Sequence, residues 1–248
     1  NTEFCSSVNS NEVMARILML ETSTEVCSVA LSENGKIVTF REETEGYRHS
    51  EKLTLFVGEA LDEAGWTTSM LDAVCVSRGP GSYTGLRIGV SVAKGLCFGS
   101  GVPLISVSTL QAMADHVAQH FQDLSGEESP DALLCPMLDA RRMEVYTALF
   151  NRNGSPLSEV KAVVVDENSY KDELKDRKVV FFGNGAFKCR SVIQHPNALF
   201  PGHIYASARF MLKLALDYFD NRQFENVAYF EPFYLKDFVA TVPKNKIF

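Results

Sequence analysis

One pattern occurs twice in this sequence, first as Met19-Leu-Glu-Thr-Ser-Thr-Glu-Val-Cys-Ser-Val-Ala-Leu31 and again as Met137-Leu-Asp-Ala-Arg-Arg-Met-Glu-Val-Tyr-Thr-Ala-Leu149. In each copy an apolar strand ends in an acidic residue, and Glu-Val then opens a second strand that ends in Ala-Leu. An Asn-Gly pair, typical of a tight hairpin turn, follows each copy at Asn34-Gly35 and Asn153-Gly154. Single-residue slips separate the copies, so chance similarity of two strand pairs is the alternative. The repeat favours an α/β fold of two tandem β-β-β-α-β-α halves facing a cleft, with mixed sheets flanked by helices.

A polar break near residues 126–130 divides the chain. It predicts an N-terminal half at 14–127 and a degenerate C-terminal half at 128–248. The late helix at 206–219 is apolar on most of its surface, so we expect it to pack between the halves. Residues 1–13 are polar and aperiodic, and we interpret them as a leader or an expression remnant.

Composition excludes several classes of protein. The net charge of the 248 residues is −7, and no block of like charge occurs, which argues against a strongly basic RNA- or membrane-binding surface for this chain alone. The six cysteines are far apart and form no Cys-x-x-Cys pair, which indicates reduced thiols in a cytoplasmic protein and no metal cluster. They are Cys5, Cys27, Cys75, Cys97, Cys135 and Cys189. No stretch approaches the length of a membrane span, and no signal peptide is visible.

A glycine-rich stretch, Arg78-Gly-Pro-Gly-Ser-Tyr-Thr-Gly-Leu-Arg-Ile-Gly89, joins a predicted strand at 73–76 to a helix that begins near Thr84. The N–H groups at that helix start could hold an anion, with Arg78, Ser82 and Thr84 as candidate contacts. It is not a P-loop, because no Gly-Lys-Ser/Thr closes it. The alternative is a tight turn in which the Ser82 and Thr84 hydroxyls cap the helix.

The helix after this stretch has two apolar faces. One is predicted to pack on the sheet of the same half. The other carries three glycines and suits the close approach of another helix, either the predicted helix 51–64 or one from a second subunit. The predicted partner interface comprises Leu55, Arg87, Ile88, Gly89, Val92, Gly95, Leu96 and Gly99.

Together with Leu138-Asp-Ala-Arg141, Glu144-Val-Tyr146 and Glu231-Pro-Phe-Tyr-Leu235, the repeat and the glycine-rich stretch resemble the bacterial TsaB (YeaZ) family. That family is part of the actin-like (ribonuclease H-like, ASKHA) superfamily. The resemblance implies a non-catalytic subunit that docks on the catalytic TsaD subunit, which makes threonylcarbamoyladenosine at position 37 of tRNAs. It also implies helix pairing through the N-terminal half, a homodimer when alone, a link to the TsaE ATPase through the complex, and only indirect contact with tRNA.

Active members of the superfamily place glycines after each of two acids, so that the backbone can approach nucleotide phosphates. Here Glu21 is followed by Thr22 and Ser23, and Asp139 is followed by Ala-Arg-Arg. The adenosine-side loop is reduced to Gly183-Asn-Gly185. We therefore expect a vestigial nucleotide cleft at Glu21, Thr22, Ser23, Asp139, Gly183 and Gly185, with weak nucleotide binding and no required cofactor. The alternative is a free-standing actin-fold ATPase or kinase.

The resemblance also bears on an older description of the family as a peptidase M22-like glycoprotease. The metal-binding His-x-x-x-His pair of the catalytic relative falls here at Thr109 and Met113, which are poor ligands. The pair His116 and His120 lies later, and we interpret it as a solvated helix flank rather than a zinc site. No catalytic residue and no metal site are predicted, and a zinc-dependent glycoprotease is the least favoured alternative.

Overall fold

The computed structural model of the chain describes residues 15–44, 46, 48–126 and 129–235. The predicted leader at 1–13 lies outside the described residues, as does Cys5.

The first half is built on a five-stranded mixed sheet. Its elements are β1 (Arg16–Glu21), β2 (Cys27–Glu33), β3 (Lys36–Glu43), α1 (His49–Ala64), β4 (Ala73–Gly79), α2 (Tyr83–Ser100), β5 (Leu104–Ser108), α3 (Thr109–Gln119) and α4 (Phe121–Ser125), with a 3-10 turn at Thr68–Met70. The strand order is β3-β2-β1-β4-β5. β2 runs antiparallel to β1 and β3, whereas β4 runs parallel to β1 and β5.

The second half repeats this topology. Its elements are β6 (Leu133–Asp139), β7 (Glu144–Thr147), β8 (Lys161–Val164), α5 (Lys171–Asp176), β9 (Val179–Phe182), α6 (Ala186–Cys189), β10 (Ala198–Leu199) and α7 (Leu212–Asp220), with a 3-10 turn at Ala208–Met211. The order β10-β9-β6-β7-β8 reproduces that of the first sheet, read from the opposite edge. The predicted fold of two actin-like halves is therefore confirmed. α5 and α6 have 6 and 4 residues where α1 and α2 have 16 and 18, so the second half is the reduced one.

Alternation along β1 places its side chains in two cores. Leu18 and Leu20 pack with α1 and α2 on one face of the sheet. Ile17 and Met19 pack on the other face with residues of the 3-10 turn Ala208–Met211 and of α7. The sheet of the first half is therefore covered on both sides.

The helix α1 begins at His49, two residues before the predicted start of the helix at residue 51. Arg48 is the N-cap residue, and no side chain caps the helix. His49 is buried, and its Nε2 lies 3.1 Å from the carbonyl oxygen of Val26, which ties the first turn to β2. The apolar stripe of α1, whose residues recur at helical spacing, lies in the core, with Leu53, Phe56, Val57, Ala60 and Leu61 buried.

The two Asn-Gly pairs differ in the structure. Asn34 (φ 52°) and Gly35 (φ 74°) form the tight turn between the paired strands β2 and β3, as predicted. Gly154 instead lies within the longer connection between β7 and β8 and packs on α3 of the first half. A Cβ on Gly154 would lie 2.4 Å from Asp115 Oδ1. The carbonyl oxygen of Gly154 accepts a 2.6 Å hydrogen bond from the side chain of Gln111. The second pair therefore serves a contact between the halves.

The late helix is shorter than predicted, because residues 206–207 precede it and 208–211 form the 3-10 turn. Met211 and Leu214 pack on the first sheet, whereas Ile204 and Ala206 pack with residues of the second half. Phe210 contacts both of these clusters. The chain thus crosses from one core to the other just before α7.

Candidate functional site

The glycines of the Arg78–Gly89 stretch lie against the turn that follows β1. A Cβ on Gly81 would lie 2.2 Å from the Ser23 carbonyl oxygen, and one on Gly85 would lie 2.1 Å from the Thr22 carbonyl oxygen. Ser82 also donates a 2.7 Å backbone hydrogen bond to the Ser23 carbonyl. No side chain fits in these spaces, so these glycines permit contact between two parts of the backbone.

The second half contains the same arrangement. A Cβ on Gly183 (φ 106°) would lie 2.3 Å from the carbonyl oxygen of Met137, near the end of β6. Gly185 donates a 2.9 Å hydrogen bond to that carbonyl. In both halves, therefore, the glycine-containing turn after the fourth strand packs on the end of the first strand.

The helix start predicted as an anion site is occupied by the chain itself. The Ser82 side chain caps α2 and accepts a hydrogen bond from the Gly85 N–H at 3.3 Å. On the outer side, Phe233 donates a 2.8 Å backbone hydrogen bond to the Arg78 carbonyl, and the Tyr234 ring lies 4.8 Å from that of Tyr83. Arg78 and Thr84 are exposed at the margins. This packing favours the alternative interpretation, a tight turn with a capped helix.

Glu21 is 1% exposed, and Thr22 and Ser23 are buried with it. Its Oε1 accepts hydrogen bonds from the Ser23 N–H at 2.6 Å and from the Ser77 hydroxyl at 2.8 Å. Burial raises the pKa of the Glu21 carboxyl, and the hydrogen bonds from Ser23 and Ser77 oppose that shift. Contrary to the expectation of a vestigial cleft, these three side chains are covered by the turn at Gly81 and by the start of α2 at Gly85.

Asp139 is partly exposed, but its carboxylate already has a cation. The Lys188 ammonium forms an ion pair with Oδ1, and the Arg141 N–H donates to the same oxygen at 2.8 Å. Lys188 also donates to the Glu144 carbonyl at 2.7 Å, which fixes the ammonium in place. A side-chain cation therefore lies where a nucleotide-bound metal would need the carboxylate.

Asn184 lies between Asp139 and Glu25 and connects the halves. Its Oδ1 accepts a hydrogen bond from the Asp139 N–H at 3.0 Å, and its Nδ2 donates to Glu25 at 2.6 Å. With Glu21 buried, Asp139 ion-paired and Asn184 between the halves, these residues do not fit a nucleotide with its magnesium ion.

The metal candidates lie in the interface between α3 and its neighbours. Thr109 and Met113 are both buried in the core. His116 stacks on Phe210, with ring centroids 3.6 Å apart, and burial lowers the pKa of His116 to about 4. The interpretation of a solvated flank was therefore wrong for His116, although His120 is exposed. Across the described part of the chain, no three His, Cys, Asp or Glu side chains gather as a metal would require.

The predicted partner interface divides into buried and exposed residues. Gly89 belongs to the inner face, because a Cβ there would lie 2.3 Å from Thr22 Oγ1. Ile88, Val92 and Leu96 are half-buried and pack in the core cluster that contains the α1 stripe. Only the remaining residues of the prediction, Leu55, Arg87, Gly95 and Gly99, are exposed.

Two exposed residues on the same helices were missed, Gly58 of α1 and Phe98 of α2. Phe98 is 88% exposed and Leu55 is 50% exposed. A Cβ on Gly58, Gly95 or Gly99 would meet no atom within 4 Å. A glycine in the middle of a helix was the signal that could have revealed Gly58. We call the exposed set the α1–α2 face, defined by Leu55, Gly58, Arg87, Gly95, Phe98 and Gly99.

Comparison with known proteins identifies the family. The family model described as TsaD: tRNA N6-adenosine threonylcarbamoyltransferase matches residues 43–243. The chain is 34% identical over 155 residues to the tRNA threonylcarbamoyladenosine biosynthesis protein TsaB of Escherichia coli, covering 61% of this chain and 63% of that protein. It is 31% identical over 184 residues to TsaB of Bacillus subtilis, covering 72% of this chain and 75% of that protein. The chain belongs to the TsaB (YeaZ) family.

Solved structures agree with this assignment. YeaZ from Pseudomonas aeruginosa aligns with a TM-score of 0.75 and 28% identity, over 90% of this chain and 100% of that chain. The match to TsaB of Escherichia coli spans 63% of that protein's length. None of the helices in the described residues is both long and apolar enough to span a membrane.

Proposed function

We propose that this chain is the non-catalytic partner subunit of the enzyme that transfers a threonylcarbamoyl group to adenosine 37 of tRNAs. The observation that carries the proposal is that, in this member of the TsaB family, neither Glu21 nor Asp139 has a carboxylate available to a nucleotide. Glu21 is buried beneath Gly81 and Gly85, and Asp139 is ion-paired to Lys188. On this proposal the chain needs no cofactor, and a nucleotide would bind only weakly in the cleft of this chain. The catalytic TsaD subunit supplies the chemistry.

The α1–α2 face supports docking as the mode of action. A glycine in a helix interior costs about 1 kcal/mol relative to alanine. Packing within the chain gives no reason for Gly58, Gly95 or Gly99, because each has open space where a Cβ would lie. A helix of the partner packed on this face would use that space and cover the exposed side chains of Leu55 and Phe98.

The proposals for the other partners rest on the family resemblance. Without the catalytic subunit, a second copy of the chain would occupy the same face, so the homodimer and the heterodimer exclude each other. The TsaE ATPase would then join the assembled pair. We place this assembly in the cytoplasm, consistent with the five described cysteines, which are all free and buried.

The test combines the purified full chain with the catalytic subunit from the same organism. Light scattering after size-exclusion chromatography measures assembly, and mass spectrometry of tRNA nucleosides measures modification. We expect a heterodimer and modification that depends on this chain. Failure to assemble, or equal modification when the chain is omitted, would refute the proposal.

A further inference from the structure

The second half carries a ladder of aromatic rings, distant in sequence from the α1–α2 face. The ring centroids of Phe187 and His203 lie 5.5 Å apart at 28°, and those of His203 and Tyr205 lie 5.8 Å apart at 9°. Phe187 is 68% exposed at the end of this ladder. A nearly parallel set of rings with an exposed end offers a stacking surface for a further flat group.

Two arginines project from the neighbouring turn between β6 and β7. Arg141 (φ 73°) and Arg142 (φ 49°) both adopt the left-handed backbone conformation, which is unfavourable for residues other than glycine. Both are exposed, and among the residues that the structure describes neither guanidinium has a hydrogen-bond or ion-pair partner. The turn therefore presents two unpaired positive charges to solvent at some conformational cost.

Lys188 connects the ladder to this turn. It follows Phe187 in α6, and its ammonium binds the same Asp139 oxygen that accepts the Arg141 N–H. This ion pair neutralises the carboxylate that would otherwise repel an anion beside the arginines. Glu25, the acid across the cleft, is held by the Asn184 amide. Arg141 and Arg142 therefore carry positive charge that no ion pair within the described residues neutralises, on a chain whose net charge is −7.

We propose that Phe187, His203 and Tyr205, with Arg141 and Arg142, form a binding surface for a single-stranded segment of tRNA. A base would stack on Phe187, and the adjacent phosphates would pair with the two guanidinium groups. Aromatic stacking combined with phosphate pairing is the usual mode of binding to unpaired RNA. The inference rests on the proposed function, which brings tRNA to the complex, and it replaces the expectation of purely indirect contact. The surface shares no residue with the α1–α2 face, which is formed by helices of the first half.

The test measures binding of a fluorescently labelled, unmodified tRNA transcript to the complex by anisotropy, at several KCl concentrations. The first variant carries Arg141→Gly and Arg142→Gly together, because glycine tolerates the left-handed backbone at both positions. Its matched control is Arg222→Gly, an exposed arginine with φ 53° outside the surface. The second variant is Phe187→Ala, with Phe187→Tyr as the conservative replacement and Tyr229→Ala, which removes a ring that is 84% exposed, as its control.

The two variants should differ in salt dependence. Loss of both arginines should weaken binding about 10-fold and reduce the slope of log affinity against log salt by about 1.4, since each phosphate contact to single-stranded RNA contributes about 0.7. Phe187→Ala should weaken binding about 5- to 100-fold with an unchanged slope, and Phe187→Tyr should restore it. Arg222→Gly and Tyr229→Ala should bind as the unaltered complex does.

Assembly is measured on the same samples, so that the two proposals can fail separately. If the complex forms and both surface variants bind tRNA within about twofold of the unaltered complex, the inference is overturned while the proposed function stands. Loss of assembly instead of tRNA binding would make this surface a protein interface and would also overturn it. If no complex forms with the unaltered chain, the proposed function fails, and the same titrations on the chain alone decide the inference.

Discussion

The side chain of Lys188 forms an ion pair with Asp139, the acid that ends the first strand of the second half. The lysine supplies a permanent cation at this carboxylate. Lys188 is also bound to the Glu144 carbonyl at 2.7 Å, so the pair is part of the β6–β7 structure. The carboxylate of Asp139 therefore has a structural partner within the chain.

We expect Asp139→Asn to leave the rate of tRNA modification by the complex within about twofold of the unaltered rate, because a partly exposed ion pair contributes about 1 kcal/mol or less. The measurement is the initial rate of modification with saturating catalytic subunit. A loss of a hundredfold or more would support the alternative of an actin-fold ATPase or kinase.

Substitution of the exposed apolar residues of the α1–α2 face should prevent docking. We expect Leu55→Glu or Phe98→Glu to weaken binding to the catalytic subunit by at least about 30-fold, the effect of losing a buried apolar anchor. Titration calorimetry measures the affinity, and circular dichroism checks the fold. Leu157→Glu is the matched control, since Leu157 is 55% exposed and Leu55 is 50% exposed. Val92 and Leu96 are poorer positions, because both pack in the core cluster. Equal losses at Leu55 and Leu157 would contradict the assigned face.

Two glycines of α2 should respond in opposite ways to alanine. Gly85→Ala should lower the free energy of unfolding by about 1–3 kcal/mol, because the new Cβ would lie 2.1 Å from the Thr22 carbonyl oxygen. Gly95→Ala should raise it by up to about 1 kcal/mol, because its Cβ has open space and alanine favours the helix. Urea unfolding of the isolated chain measures both. The same Gly95→Ala change should weaken docking, and tighter docking would argue against close helix approach.

The buried carboxyl of Glu21 should make stability depend on pH. Because burial raises its folded-state pKa above 4.5, its contribution is fully present below pH 4.5 and is lost as the pH rises through the folded-state pKa. Glutamine keeps an oxygen to accept from Ser23 and Ser77 and carries no charge. We therefore expect Glu21→Gln to be more stable than the unaltered chain at pH 8 and to approach it at pH 4. Urea unfolding across this range measures the difference, and a constant difference would show that Glu21 titrates normally.

His116 should contribute a pH dependence of the opposite sign. Its pKa falls from 6.5 to about 4 on folding, so its contribution is present above pH 6.5 and is lost as the pH falls through about 4. His116→Phe keeps a ring against Phe210 and removes the titration. We expect the variant to gain stability relative to the unaltered chain between pH 6.5 and 4, by less than about 3 kcal/mol because solvent screens the half-buried ring. Thermal unfolding at pH 7.5 and pH 4.5 measures this, and equal shifts at both values would exclude it.

Much of the fold could be predicted from local patterns. The repeated strand pairs and the α1 stripe are periodic features that depend on residues close in sequence. The late helix was less well predicted, because its first residues leave the helix to pack with the second half. The start of α1 was also missed, since His49 is held by the distant carbonyl of Val26.

The sequence by itself determined two halves of one topology, the absence of a glycine directly after Glu21 and after Asp139, and a helix that contains several glycines. Only the tertiary structure decided what those residues do. It showed that Gly81, Gly85 and Gly89 serve backbone contacts with Thr22 and Ser23, whereas Gly95 and Gly99 remain open. It also placed Lys188 and Asn184 at Asp139. The physical reason is that the space around a Cβ and the counter-ion of a carboxylate depend on residues far apart in the chain, which meet only when the sheets and helices have packed.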